Sequence, residues 1–135
     1  MASTGLSEFQ LRGLKINHKI VHVTANNHAG YYPDVTSIVL KLIFEPESGQ
    51  IFGAQAIGKE GVDKRIDILS TAIKAKLTVF DLPELELTYA PPFDSAKDPV
   101  NMAGYAAINL LLGQSENIQW HELAAELAKG KSYLM

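Results

Sequence analysis

Apolar and polar positions along this chain switch between two rhythms, and each rhythm marks an element. Residues 16–25 alternate, with Val21 and Val23 on one face and His18, Ile20, His22 and Thr24 on the other, which predicts a strand. Residues 36–44 and 50–57 are rich in β-branched and aromatic side chains. The intervening Glu45-Pro46-Glu47-Ser48-Gly49 predicts that they pair as an antiparallel hairpin. Val62, Ile66, Leu69, Ile73 and Leu77 then recur at steps of three and four, one apolar stripe of a helix. Asp63, Lys64, Arg65, Lys74 and Lys76 are expected to face mostly water. Residues 85–89 alternate again and predict a short strand.

Local punctuation adds the boundaries. Ser7 and Gln10 have the spacing of a capping box, flanked by Leu6 and Leu11 as a hydrophobic staple, and Gly13 is placed to end that short helix in the left-handed conformation. Asp98-Pro99 reads as N-cap and first position of a helix that runs to about Leu112 and stops at Gly113. That helix is apolar on nearly every side, so it is either the central core helix or a surface for another subunit. Just before it, Pro91 and Pro92 hold Tyr89 and Phe93 in one extended geometry, because proline fixes φ and restricts its predecessor. The expected fold class is α/β of the α+β type: an antiparallel sheet with helices packed on it.

Composition narrows the function classes. A chain of 135 residues is one ordinary domain, able to bury about two thirds of its unfolded surface. Net charge is −3 with no Lys/Arg block, so the electrostatic footprint of a nucleic-acid binder is missing. No apolar run approaches the ~20 residues that span a bilayer, and the N-terminus lacks the pattern of a signal peptide; a cytoplasmic location is expected. There is no cysteine, which excludes disulfides, thiolate nucleophiles and cysteine-ligated metals within this polypeptide. Gly53, Gly58 and Gly61 do not have the spacing of a dinucleotide-binding turn.

Candidate chemistry is sparse. His18 and His22 would lie ~13 Å apart along a strand, too far for one ion, and no metal site is expected. His28 and His121 have no evident triad partner. Asp81, Glu84 and Glu86 read as a solvated loop, and Ser95 lacks the context of a hydrolase nucleophile. The tyrosines are the better candidates. Tyr31 and Tyr32 lie in a turn-rich stretch before Pro33, and Tyr89 precedes the Ala90-Pro91-Pro92 turn. A phenol is an apolar ring with one donor, suited to orienting a sulfur or thioester-like group, although packing against Pro33 or Pro91 is the plain alternative.

Three blocks, occurring in order, carry a resemblance. Residues 27–58 (NHAGYYPDVTSIVLKLIFEPESGQIFGAQAIG), residues 59–82 (KEGVDKRIDILSTAIKAKLTVFDL) and the TYAPP segment together resemble the C-terminal dimerisation domain of pyridine nucleotide–disulfide oxidoreductases, in the coenzyme A disulfide reductase/NADH oxidase branch. The resemblance implies a dimerisation domain over residues 1–114 and a homodimer with a second copy of the chain. In the full enzyme it implies FAD, NAD(P)H and a coenzyme A-type substrate. Tyr31 and Tyr89 would act in trans at the partner's redox cysteine, with Tyr32 as alternative to Tyr31. Ala90, Pro91, Pro92 and Phe93 would close over the partner's flavin. The flavin and nicotinamide domains and the cysteine are expected before Met1, and the fragment alone is expected to be inactive and to hold no cofactor. The TYAPP turn contains no histidine, unlike glutathione-reductase-like relatives, which favours a single-cysteine mechanism. Residues 115–135 are expected to be a linker and the possible start of a truncated rhodanese-like domain: an Ala/Leu helix ending near Gly130, then an opening strand at 132–135. The alternative is a free-standing, non-catalytic module that binds a coenzyme A-type ligand.

Overall fold

The computed structural model describes residues 1–113 and 119–130. Strand β1 (Ala2–Gly5) leads into helix α1 (Glu8–Gly13), followed by strands β2 (Lys19–Asn26), β3 (Ser37–Phe44) and β4 (Ile51–Gly58). Helix α2 (Val62–Lys74), a single 3₁₀ turn (Leu82–Glu84) and helix α3 (Pro99–Leu111) complete the main body. A second 3₁₀ turn (Trp120–Glu122) and helix α4 (Leu123–Ala128) follow. The strands form one antiparallel sheet in the order β1-β4-β3-β2. The architecture is therefore α+β, as the alternating and helical rhythms together imply.

The main core lies between one face of the sheet and helices α2 and α3. Val21, Ile38, Leu40, Leu42, Phe44, Ala54 and Ala56 from the strands meet Ile66, Leu69, Val100, Ala103 and Ala107 from the helices. Fully burying each large apolar side chain of this kind contributes about 1.5–3 kcal/mol. The opposite face is covered at one end by α1, where Leu11 packs on Ile20 and Ile43. This explains why β2 buries both Ile20 and Val21, although they point to opposite faces.

Both caps read from the sequence form. Ser7 and Gln10 make a reciprocal capping box at α1, and Asp98 and Asn101 make a second one at α3. The helix ends differ from expectation. Gly13 is the last residue of α1, and Lys15 takes the left-handed conformation instead (φ 55°). Ile16 N–H then reaches Leu11 C=O at 3.0 Å and Lys15 N–H reaches Arg12 C=O at 3.1 Å. The same Schellman pattern closes α2, with Lys76 at φ 60° and bonds from Leu77 to Ala72 and from Lys76 to Ile73. So α2 ends before Leu77, which packs on the core from outside the helix.

Three further expectations are corrected. Residues 85–89 form no strand; the alternation is real, with Leu85 and Leu87 half-buried, but no neighbouring strand supplies a ladder. Instead Asn101 Nδ2 donates to Leu82 O at 2.8 Å and to Leu85 O at 3.2 Å, tying this segment to α3. Strand β2 starts at Lys19 rather than residue 16, because residues 14–16 complete the exit from α1. Arg65 does not face water at all: its side chain is only 1% exposed. The expected opening strand at 132–135 lies outside the described residues.

Candidate functional site

The two stretches that carry the candidate tyrosines come from distant parts of the chain and meet at one edge of the fold. The first follows β2. Asn27 bonds Thr36 in both directions, with Asn27 N–H to Thr36 O and Thr36 N–H to Asn27 Oδ1, each 2.9 Å. This pinches the 27–36 stretch into a closed loop. Inside it Tyr32 N–H donates to Ala29 O at 2.9 Å, and His28 Nε2 donates to Pro33 O at 2.9 Å.

The second stretch is the turn before α3. Phe93 and Asp94 N–H groups both donate to Ala90 O, at 2.9 and 3.0 Å. The loop and the turn are stitched together by Ala29 N–H, which is shared between Asp94 O at 3.0 Å and Pro91 O at 3.3 Å. Tyr31 and Tyr89 then stand side by side on the surface, 77% and 52% exposed, with their hydroxyls 3.3 Å apart. The hydrogen bond to Tyr89 holds the Tyr31 phenol above its ordinary range, since it stabilises the protonated ring, with slight desolvation adding to it. Tyr32 is engaged elsewhere: its ring meets His28 edge-on, centroids 5.7 Å apart and planes at 86°. Phe93 projects from the turn with most of its ring exposed.

Behind this surface lies a buried charge cluster that a reading of residue types passed over. The Arg65 guanidinium makes five contacts to four acceptor atoms. Its Nη2 donates to Asn27 O at 2.8 Å and lies 3.4 Å from Asp94 Oδ1 and 3.0 Å from Asp98 Oδ2. Its Nε donates to the same Asp98 oxygen at 3.1 Å, and Nη1 donates to Gly61 O at 3.2 Å. Asp98 divides its carboxylate, since Oδ1 caps α3 at Val100 N while Oδ2 takes Arg65. Asp94 also accepts from Ser95 N–H at 2.7 Å and pairs with Lys64 at 3.3 Å.

Burial, and then the proximity of Asp98, push the Asp94 carboxyl above its usual range, while Ser95 N–H and Lys64 pull it back. Removing one partner from such a buried set typically costs about 3–5 kcal/mol, because the remaining charge is left uncompensated. The signal for Arg65 was available: it sits three residues after Val62 and four before Leu69, on the apolar stripe itself.

The other candidates are not drawn into this region. His18 precedes β2, with Nδ1 2.9 Å from Ile16 O. His121 faces Glu8 at 3.8 Å across a polar cleft of about 200 Å³ that His18, Lys19 and Gln119 also line. Among the described residues, no group of three or more His, Asp or Glu side chains is placed to hold a metal ion. No helix among them is long and apolar enough to cross a membrane.

With this geometry in place, comparison with known proteins is decisive. The profile of the pyridine nucleotide-disulphide oxidoreductase dimerisation domain matches residues 1–99. The chain belongs to this family. The coenzyme A disulfide reductase of Staphylococcus aureus (strain bovine RF122 / ET3-1) is 45% identical over 106 residues, covering 78% of this chain. This dimerisation domain spans only 24% of that relative's length. The crystal structure of reduced Bacillus anthracis CoADR-RHD superposes with a TM-score of 0.92 at 57% identity, over 95% of this chain and 23% of its own. A NAD-dependent persulfide reductase from A. fulgidus follows at TM-score 0.83 and 40% identity, over 86% of this chain and 22% of its own. The dimerisation-domain fold expected from the three sequence blocks is thus the one observed.

Proposed function

We propose that this chain serves as the dimerisation domain of an FAD-dependent NAD(P)H:coenzyme A disulfide reductase-like oxidoreductase. In that enzyme it pairs with a second copy, and Tyr31, Tyr89 and the turn Ala90–Phe93 complete the partner's flavin and cysteine site in trans. The observation that carries this reading is the exposed phenol pair. Two phenols 3.3 Å apart are turned outward to solvent rather than into their own core. A location in the cytoplasm accords with this reading.

The turn suits a flavin edge on one point of chemistry. Pro91 and Pro92 carry no N–H, and the Phe93 and Asp94 N–H groups are already bonded to Ala90 O. From Pro91 to Asp94 the backbone therefore offers acceptors and an aromatic face, not donors, and the pyrimidine edge of a flavin carries an N–H that needs an acceptor. When bound, the flavin would relay the reducing equivalents of NAD(P)H to a mixed disulfide between the enzyme's cysteine and coenzyme A. As that S–S bond opens, the departing sulfur gains charge. The Tyr89 or Tyr31 hydroxyl donates a hydrogen bond to it, and the second hydroxyl orients the first.

The test is the turnover of coenzyme A disulfide in the oxidoreductase that carries this domain. Tyr89→Phe and Tyr31→Phe should each lower turnover by roughly 10²-fold or less, since a diffuse sulfur anion is a weaker acceptor than an oxyanion. Reduction of flavin by nicotinamide should stay unchanged. The double variant should lose less than the product of the single losses, because both groups act on one sulfur. Unchanged turnover in Tyr89→Phe together with its loss in Tyr32→Phe would transfer the role to the other tyrosine. Unchanged turnover in all three would remove the tyrosines from the mechanism.

A further inference from the structure

The buried contacts between the Tyr31 loop and the carboxylates that flank the Tyr89 turn converge on one side chain. Arg65 projects from the first turn of α2, between the loop and the turn, and belongs to neither. Its Nη2 bonds the main chain of the loop at Asn27 O, 2.8 Å away, and the same nitrogen meets the carboxylates that flank the turn, Asp94 and Asp98. A guanidinium is planar, permanently charged and carries five donors in a fixed fork. It therefore fixes directions as well as distances among the groups it binds.

The α2 N-terminus is shaped around it. Gly61 adopts φ 79°, and a β-carbon at that position would strike Arg65 Nη1. The main-chain bond from Ala29 to Pro91 and Asp94 adds one stitch between the two stretches, but it is a single N–H shared between two acceptors. Apart from that stitch and the exposed hydroxyl pair itself, the ties between the two stretches run through Arg65.

We propose that Arg65 is a positioning residue: its buried guanidinium clamps the loop carrying Tyr31 to the turn carrying Tyr89 and so sets the separation of the two hydroxyls. The catalytic consequence rests on the trans role of the tyrosines argued above; the geometric claim does not. Lysine keeps the charge, but its point-like ammonium on a flexible stem cannot hold Asn27 O, Gly61 O and two carboxylates in fixed directions. Arg65→Lys should therefore leave a folded domain whose tyrosine pair has come apart.

The experiment uses the whole 135-residue chain, labelled at tyrosine Cζ and titrated by NMR. In the parent chain the Tyr31 phenol, held by its hydrogen bond to Tyr89, should titrate above its ordinary range, and Tyr89→Phe gives the signature of that coupling's loss. Arg65→Lys should reproduce that signature at a temperature where circular dichroism shows the native fold. Gly104→Ala is the control for a merely structural effect. Its β-carbon would press on Leu82 and Pro83 at 2.7 Å, neither of which bonds Arg65. It should lower the melting temperature yet leave the pair coupled.

A folded Arg65→Lys chain with the pair still coupled overturns the proposal. If Arg65→Lys does not fold, Gly61→Ala, which displaces the guanidinium without removing its charge, decides in the same way: coupling lost supports the clamp and coupling retained overturns it. In the parent oxidoreductase, Arg65→Lys should reduce kcat for coenzyme A disulfide by roughly ten- to a hundredfold, as misplacement of a catalytic group does, while nicotinamide-driven flavin reduction is unchanged. If Tyr31→Phe and Tyr89→Phe leave turnover intact while the NMR signature behaves as expected, the trans role fails and the clamp stands.

Discussion

The hydroxyls of Tyr31 and Tyr89 lie 3.3 Å apart, although 58 positions separate the residues in sequence. The bond raises the Tyr31 phenol because the shared proton is easier to keep than to lose, and both rings are open to water. Tyr89→Phe removes the partner oxygen, so the Tyr31 titration should move down toward the ordinary phenol value of about 10. Ultraviolet or NMR titration reads this directly. A midpoint that does not move would mean the rings are not paired in solution.

Lys76 occupies a backbone position that favours glycine. With φ at 60° it supplies the left-handed residue of the Schellman motif that ends α2, at a steric cost of about 1–2 kcal/mol for a residue with a β-carbon. Its ammonium is exposed and makes no bond that the substitution would remove. Lys76→Gly should therefore stabilise the domain, raising the melting temperature by roughly 3–5 °C. A lower melting temperature would show that flexibility gained by the unfolded chain outweighs relief of the strain.

Glu8 gives the domain an acid-sensitive tie between α1 and β3. Burial raises its carboxyl, but the 2.8 Å hydrogen bond and charge of Lys41, with help from Arg12 and His121, outweigh that and leave it below its ordinary range. A carboxyl depressed in the folded state contributes stability above the unfolded value, and the contribution disappears as pH falls through the lower folded value. Glu8→Gln should cost on the order of 1 kcal/mol near pH 7. The gap between its melting temperature and that of the parent should close as pH falls below the ordinary glutamate range. A gap of constant size would place the loss in packing rather than charge.

One side of α3 is exposed. Val100, Ala103, Ala107 and Leu110 are buried in the core, whereas Met102, Tyr105 and Leu112 are exposed on the far side, and the Lys97 ammonium sits 5.0 Å from the Tyr105 ring centre. If this stripe forms the two-fold contact of the proposed dimer, Tyr105→Glu should shift sedimentation of the oxidoreductase from dimer to monomer. It should leave the core intact. A dimer that persists unchanged would move the contact to another face.

Much of the scaffold was legible because its signals are local. The β3–β4 hairpin follows from two β-branched runs around Pro46 and Gly49, and α3 starts where Asp98-Pro99 says it should. Tyr31 and Tyr89 could be singled out by their turn contexts and by resemblance. Their contact could not, because it depends on how two loops cross in space. Arg65 was misread because its neighbours Asp63 and Lys64 suggest a solvated face, and charge type was weighed above helical phase. Strand β1 was missed altogether: Ala2-Ser3-Thr4-Gly5 is too short and too small to show a period. It becomes a strand only because β4 offers it an edge, which no local pattern encodes.

That same strand has a protective consequence. Ala2–Gly5 pair residue by residue with Gly53–Ala56 of β4, and Leu6 N–H extends the pairing to Phe52 O at 2.9 Å. Without these residues, β4 would present a bare row of amide and carbonyl groups along the apolar sequence Ile51-Phe52-Gly53-Ala54-Gln55-Ala56-Ile57. Such an uncovered ribbon recruits further ribbons from neighbouring molecules. A few small residues at the start of the chain therefore work as a selvedge: removing them subtracts little buried surface, yet opens the woven edge to fraying into fibrous aggregates.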